Sequence, residues 1–239
     1  MSKTFFLFAF ICVSLYSSVN AQMFSVGDDS ETRLNPFAPY LYVGVQPLDF
    51  NYTGNPNDPN AGDFSFSALV PHISFESGGL DIGLSLGNSI TGLDDNTYFD
   101  LGIDFTNPFY FVRQPRFGLG IPIQLSTKIT SVQNSSLSNQ FSQTNLSAGA
   151  GAIMRYINPN KLNFSAHVIP SYGFSSASGG FIGGNVFSFK TGARLSFFDV
   201  LFGKNISLGY NYLFDSYDIE NEEYDYDFNA HNVTLGISF

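Results

Sequence analysis

From Pro39 to the last residue the chain alternates between apolar and polar positions. A period of two puts successive side chains on opposite faces of a strand. The final stretch shows it plainly: Val233, Leu235, Ile237 and Phe239 share one parity, and Asn232, Thr234, Gly236 and Ser238 the other. One face is bulky and apolar, the other small and polar. Nine earlier stretches carry the same pattern. The first runs from Pro39 to Asn51, with Leu41, Val43 and Val45 on one face. The second runs from Phe64 to Phe75. It begins with Phe64, Phe66, Ala68 and Val70 on one parity and then switches to Ile73 and Phe75, so Pro71 at the phase change predicts a bulge.

The next strands set Leu80, Ile82, Leu84 and Leu86 against Asp81, Gly83 and Ser85, and Phe99, Leu101, Ile103 and Phe105 against Asp100, Gly102 and Asp104. They continue with Phe117–Leu125, Leu146–Met154, Leu162–Val168, Phe187–Leu195 and Ile206–Tyr212 in the same alternation. Long polar connections at 52–63, 88–96, 131–144, 175–185 and 215–229 alternate with short ones at 77–79, 112–116, 158–160 and 199–204. That is a meander of hairpins with tight turns at one end and long loops at the other. The predicted fold is all-β: an up-and-down antiparallel transmembrane β-barrel of about ten strands, with eight as the alternative count.

Two kinds of barrel alternate in this way, and the polar parity separates them. A water-soluble barrel turns that face to bulk solvent and fills it with Lys, Glu, Asp and Arg. Here it holds mostly Gly, Ser, Asn and Thr, which suit the inside of a closed cylinder. The Phe, Leu and Ile parity then faces hydrocarbon, where a charge costs ~2–4 kcal/mol at mid-membrane. Aromatic girdles are predicted at the turn ends (Phe109, Tyr110, Phe111, Tyr156, Phe197, Phe198, Phe202, Phe239). A second girdle is predicted at the opposite rim (Tyr52, Tyr98, Tyr172, Tyr212, Phe214, Tyr217).

Composition narrows the picture. Only 13% of residues are charged and the net charge is −10, so nothing here would neutralise a run of phosphates and nucleic acid is excluded as a partner. Residues 1–21 read as a signal peptide, with Lys3, an apolar run from Phe5 to Leu15, and Val19-Asn20-Ala21 before the cut. The single cysteine, Cys12, lies within it, which leaves the mature chain without disulfides or thiolate ligands. Residues 22–37 are expected to form a short periplasmic N-terminal segment, and 38–239 the barrel.

With these residues in place, the chain over about 38–239 resembles small bacterial outer-membrane β-barrel proteins of the OmpA/OmpX-type group. Its Phe/Tyr- and Asn-rich composition resembles such proteins from Bacteroidota. The resemblance implies location in the bacterial outer membrane, contact with its lipid and lipopolysaccharide, and a monomer without cofactors. It also implies insertion by the barrel assembly machinery, which reads a closing strand such as Val233, Leu235, Ile237 and Phe239. The chain departs from OmpA proper in lacking a following peptidoglycan-binding domain, so a cell-wall tether is not implied.

Candidate chemistry lies on the polar parity. Asp81, Asp100 and Asp104 on one side and Lys128, Arg155, Lys190 and Arg194 on the other are expected to face each other across a narrow lumen, either lining a small pore or plugging it as ion pairs. The stretch from Asp215 to Asp227 is read as a solvated acidic loop, with Asp218, Glu220, Glu222 and Asp225 as a weak calcium-binding candidate. The three histidines, His72, His167 and His231, belong to no legible catalytic motif, so a non-enzyme is expected. The functional expectation is an integral outer-membrane protein, structural or weakly pore-forming for small solutes. The alternative is a surface receptor or adhesin acting through its loops, and an outer-membrane enzyme ranks behind both.

Overall fold

The alternation resolves into long strands in the order read from the chain. A computed structural model describes residues 38–52, 64–91, 93, 96–134, 140–158, 162–177, 182–219 and 226–239. The expected signal peptide at 1–21 and N-terminal segment at 22–37 lie outside the described residues. The strands are β1 (Tyr40–Tyr52), β2 (Phe64–Ser77), β3 (Leu80–Gly87), β4 (Asn96–Arg113), β5 (Phe117–Asn134) and β6 (Gln140–Ala150). They continue with β7 (Ala152–Asn158), β8 (Leu162–Ala177), β9 (Ile182–Leu201), β10 (Lys204–Ile219) and β11 (Tyr226–Ser238). Consecutive strands pair antiparallel, except β6 with β7, and β1 pairs with β11 from Tyr40↔Ser238 to Tyr52↔Tyr226, so the sheet closes on itself.

β6 and β7 form one stave, because both pair with β5 on one side and with β8 on the other in continuous register. The barrel therefore has ten staves. The break between them at Gly151 has a local cause. Pro122 of β5 and Pro170 of β8 flank it, and neither has an N–H to donate to the ladder. Gly151 retains one bond, from its N–H to the Pro122 carbonyl at 3.3 Å.

Through the turn-side two thirds of the barrel, the apolar parity faces out. Val43, Leu125, Leu146, Phe174, Leu208 and Leu235 are each more than half exposed, while Ser147, Ser196, Ser207 and Thr234 on the other parity are buried inside. Such a continuous exposed apolar belt is the reverse of a water-soluble barrel. At the loop end the pattern inverts. Leu48, Phe50, Val70, Tyr98, Val132, Phe141, Val186, Tyr217, Tyr226, Phe228 and Ala230 are buried in one cluster inside the barrel. On the same strands, Asp49, Asn51, Ser65, Ser67, Thr97, Gln133, Asp218 and Asp227 are exposed. The loop-side third is thus built like a soluble protein, apolar within and polar without.

This inversion corrects several expectations. The register from Tyr40↔Glu76 to Tyr52↔Phe64 runs unbroken past Pro71, so there is no bulge. The apolar parity of β2 changes because Val70 and its partners fill the interior while Ile73 faces outward. Much of the expected loops at 131–144 and 215–229 is strand. Tyr98 and Tyr217 are buried in the interior cluster rather than placed in a rim girdle. At the turn end, Phe198 is buried as well, and Tyr110 packs its ring against Gly118 of the inner face. Phe109, Phe111, Tyr156, Phe197, Phe202 and Phe239 do stand exposed there, as does Tyr172 towards the other rim. The side chain of Tyr52 lies outside what is described.

Candidate functional site

Among the described residues, charged side chains converge in the lumen, because each strand contributes every second residue to it. Going from the loop end to the turn end, ion pairs cross it at successive levels. Lys128 of β5 reaches Asp215 of β10 at 2.9 Å and Asp100 of β4 at 3.0 Å. Its ammonium also sits 3.8 Å from the centroid of the Phe228 ring, a cation–π contact at the underside of the apolar cluster. Thr130 donates a hydrogen bond to Asp100 and Ser188 donates one to Asp215, so both carboxylates are satisfied. Below them, Lys190 of β9 holds Asp104 of β4 at 2.5 Å and Asp81 of β3 at 3.8 Å. Further down, Arg194 of β9 pairs with Glu76 of β2 and lies 4.7 Å over the Tyr42 ring.

Except for Lys128–Asp100, which joins the neighbouring strands β5 and β4, these are struts across the barrel, not contacts along its wall. At least three staves separate the members of the pairs Lys128–Asp215, Lys190–Asp104 and Arg194–Glu76, whichever way round the barrel is followed. The apolar cluster also crosses the lumen. Phe50 of β1 and Phe141 of β6 sit on opposite walls, yet their ring centroids are 5.3 Å apart. Tyr226 completes the stack, 4.3 Å from Phe141 and 4.2 Å from Tyr217. The seal is tightest at this end. The side chains of Lys128 and Asp215 are 10% and 1% exposed, against 21% and 33% for Lys190 and Asp81, so room for water opens towards the turns.

Of the seven charges predicted for the lumen, Asp81, Asp100, Asp104, Lys128, Lys190 and Arg194 join this ladder. Arg155 does not. It lies near the turn end with its guanidinium 5.6 Å from the Tyr110 ring. Two members were missed by sequence reasoning. Asp215 was assigned to an acidic outer loop, but it continues the inward parity of Ser207, Gly209, Asn211 and Leu213 and is fully buried. Glu76 was not among the charges predicted for the lumen, although it shares the inward face of His72 and Ser74.

The remaining candidates fall elsewhere. His72 is hydrogen-bonded to Ser85 at 2.8 Å inside the barrel, and Ser85 in turn donates to Gln46. His231 lies on the outer face, 2.8 Å from the Tyr210 hydroxyl, with Tyr212 beside it. Asp218 is exposed at the end of β10, while Glu220, Glu222 and Asp225 lie outside the described residues. Among the described residues, no group of three or more His, Cys, Asp or Glu is arranged to hold a metal. In the closing strand, Val233, Leu235 and Ile237 point outward, and Phe239 stands exposed beside Phe75, with 6.1 Å between their ring centroids.

No protein-family model and no curated protein matches the chain. Solved structures with a similar fold include the outer membrane protease OmpT from Escherichia coli, at 9% identity and a TM-score of 0.43, covering 88% of this chain and 99% of that one. The outer membrane enzyme PagL aligns at 8% identity and a TM-score of 0.37, over 82% and 99% of the two chains. Neisserial surface protein A aligns at 12% identity and a TM-score of 0.31, over 82% and 94%. At these values the likenesses transfer no residue and no activity to this chain.

Proposed function

We propose that the protein is an integral β-barrel of the bacterial outer membrane, structural in role and closed to solutes. The turns face the periplasm and the inverted third projects outside the cell. The observation that carries the reading is the seal: Phe50 and Phe141 meet from opposite walls directly above a strut, Lys128–Asp215, that itself crosses the lumen. A solute path would have to part both. This geometry counts against the weak pore. Supporting a non-enzymatic role, Ser85, the serine bonded to His72, is 1% exposed, which leaves a substrate no route to it. The resemblance to OmpA/OmpX-type barrels and to Bacteroidota proteins, the lipopolysaccharide surroundings, the monomeric state and insertion by the assembly machinery belong to the same proposal. Recording from refolded protein in planar bilayers tests it: a silent membrane is expected, and reproducible conductance steps would overturn the closed barrel.

A second reading is favoured by the length of the strands. β4, β5 and β9 run 18, 18 and 20 residues, well beyond the ~9–11 that cross a bilayer. The excess raises the loop end above the membrane on a rigid stem, which suits a receptor or adhesin acting through its loops. Loop deletions that abolish cell-surface binding while leaving the heat-modifiable barrel intact would favour this role; deletions without effect on any binding would remove it.

A further inference from the structure

The turn between β9 and β10 breaks the local rules, and its strain faces outward. Two-residue hairpin turns with positive φ at both central positions normally take Asn-Gly, Asp-Gly or Gly-Gly. The β2–β3 turn obeys, with Gly78 and Gly79 at φ 56° and 93°. The β9–β10 turn adopts the same backbone with Phe202 and Gly203, at φ 50° and 75°. A bulky side chain in the left-handed region is a steric outlier, and such strain persists only when something compensates for it. Among the described residues nothing does so: Phe202 is 95% exposed, and Val200 and Leu201 beside it are exposed too. Just before the tip, Asp199 is also left-handed (φ 57°), and the pairing slips between Lys204↔Leu201 and Ile206↔Phe197. A bulge of this kind re-aims the end of a hairpin. The other described turn-end links, Ser77-Gly78-Gly79 and Gln114-Pro115-Arg116, carry no such apolar tip.

We infer that the β9–β10 hairpin is a lipid anchor, with Val200, Leu201 and Phe202 seated at the headgroup–acyl boundary of the turn-side leaflet. Three observations select lipid as the occupant. The tip follows closely on the apolar belt, whose Phe197 is exposed on the outer face, with only Asp199 of the exposed positions between Phe197 and Val200. It also lies at the right depth. Ile206 pairs with Ile237, so in the same register Lys204 falls opposite Phe239, and Phe202 is two residues further along the strand, or ~5 Å along an axis inclined ~40° to the strands. The headgroup layer outside the hydrocarbon is itself ~5–8 Å thick. Lys204, exposed beside the tip, offers a cation to lipid phosphates in the way that flanking Lys and aromatic residues do at membrane interfaces.

The inference rests on the outer-membrane reading, and one experiment separates their failures. The chain has no tryptophan, so single-Trp variants report one site each. Phe202→Trp, Leu125→Trp in the mid-belt and Gln133→Trp on the projecting third are refolded into phosphatidylcholine vesicles with brominated acyl chains, each checked for heat-modifiable mobility. The expected result is a Phe202→Trp emission that is blue-shifted and quenched by bromine, less than at Leu125→Trp and more than at Gln133→Trp. Quenching of Phe202→Trp by aqueous iodide to the same degree as Gln133→Trp would overturn the anchor. So would blue-shifted emission without bromine quenching, because protein rather than lipid would then cover the tip. An unquenched Leu125→Trp would instead bring down the membrane reading itself.

Discussion

An arginine placed at two positions of β5 tests the inverted third most directly. Leu125 and Gln133 lie on the same strand and the same outward parity, eight residues apart. The aliphatic outward run of β5 extends from Leu119 to Ile129, interrupted only by Thr127, with the aromatic Phe117 at its turn-side end. Ten residues at ~3.3 Å make ~33 Å along the strand, or ~25 Å of height at a tilt of ~40°, which matches the apolar band of membrane barrels. Leu125 falls near its middle. Gln133 stands four residues beyond Ile129, ~10 Å above the band. Leu125→Arg should therefore lose ~2–4 kcal/mol, a fall of ~30- to 900-fold in the folded-to-unfolded ratio. Gln133→Arg should stay within ~0.5 kcal/mol of the parent, as exposed substitutions in water do. The assay is reversible guanidinium unfolding of protein refolded into lipid vesicles, followed by tyrosine fluorescence. Equal losses at the two sites would show that both face lipid and that the loop-side third does not project. Equal tolerance would show that neither does, and the belt assignment would collapse.

Other consequences follow from the lumen and the closing strand. Phe50→Ala removes a fully buried ring that touches Phe66, Phe141 and Tyr226, and should cost ~3–5 kcal/mol in the same unfolding assay; a loss below ~1 kcal/mol would mean that the cluster is loose. Lys128→Met leaves Asp100 and Asp215 facing each other without their cation and should cost ~3–5 kcal/mol, with part of the loss recovered by adding Asp215→Asn. If the double variant is no more stable than Lys128→Met alone, the strut is not what holds those strands. Phe239→Ala should lower the amount of barrel inserted in cells more than it lowers the stability of refolded protein; equal effects would argue against an assembly role for that residue.

The sequence by itself determined the strands and the direction of their faces through the membrane zone, while their number, ten rather than eight, was fixed by the closed sheet. Period-two alternation is a local property, and in a closed barrel every wall residue points either in or out, so parity alone assigns Leu125, Leu208 and Leu235 to one side and Ser147 and Thr234 to the other. Parity also brought Asp81, Asp100, Asp104, Lys128, Lys190 and Arg194 to one lumen. Only the tertiary structure decided which charge meets which, because the pairs that cross the lumen join strands far apart in the chain: Lys128 and Asp215 are 87 residues apart, Lys190 and Asp104 86. It also decided where the membrane ends. Phe66, Ala68 and Val70 look the same in sequence whether lipid or a barrel interior covers them, and the apparent phase slip at Pro71 marks a change of solvent, not of backbone. Above that level water replaces hydrocarbon outside, so burial requires the apolar side chains to turn in, and that turn is what shuts the barrel.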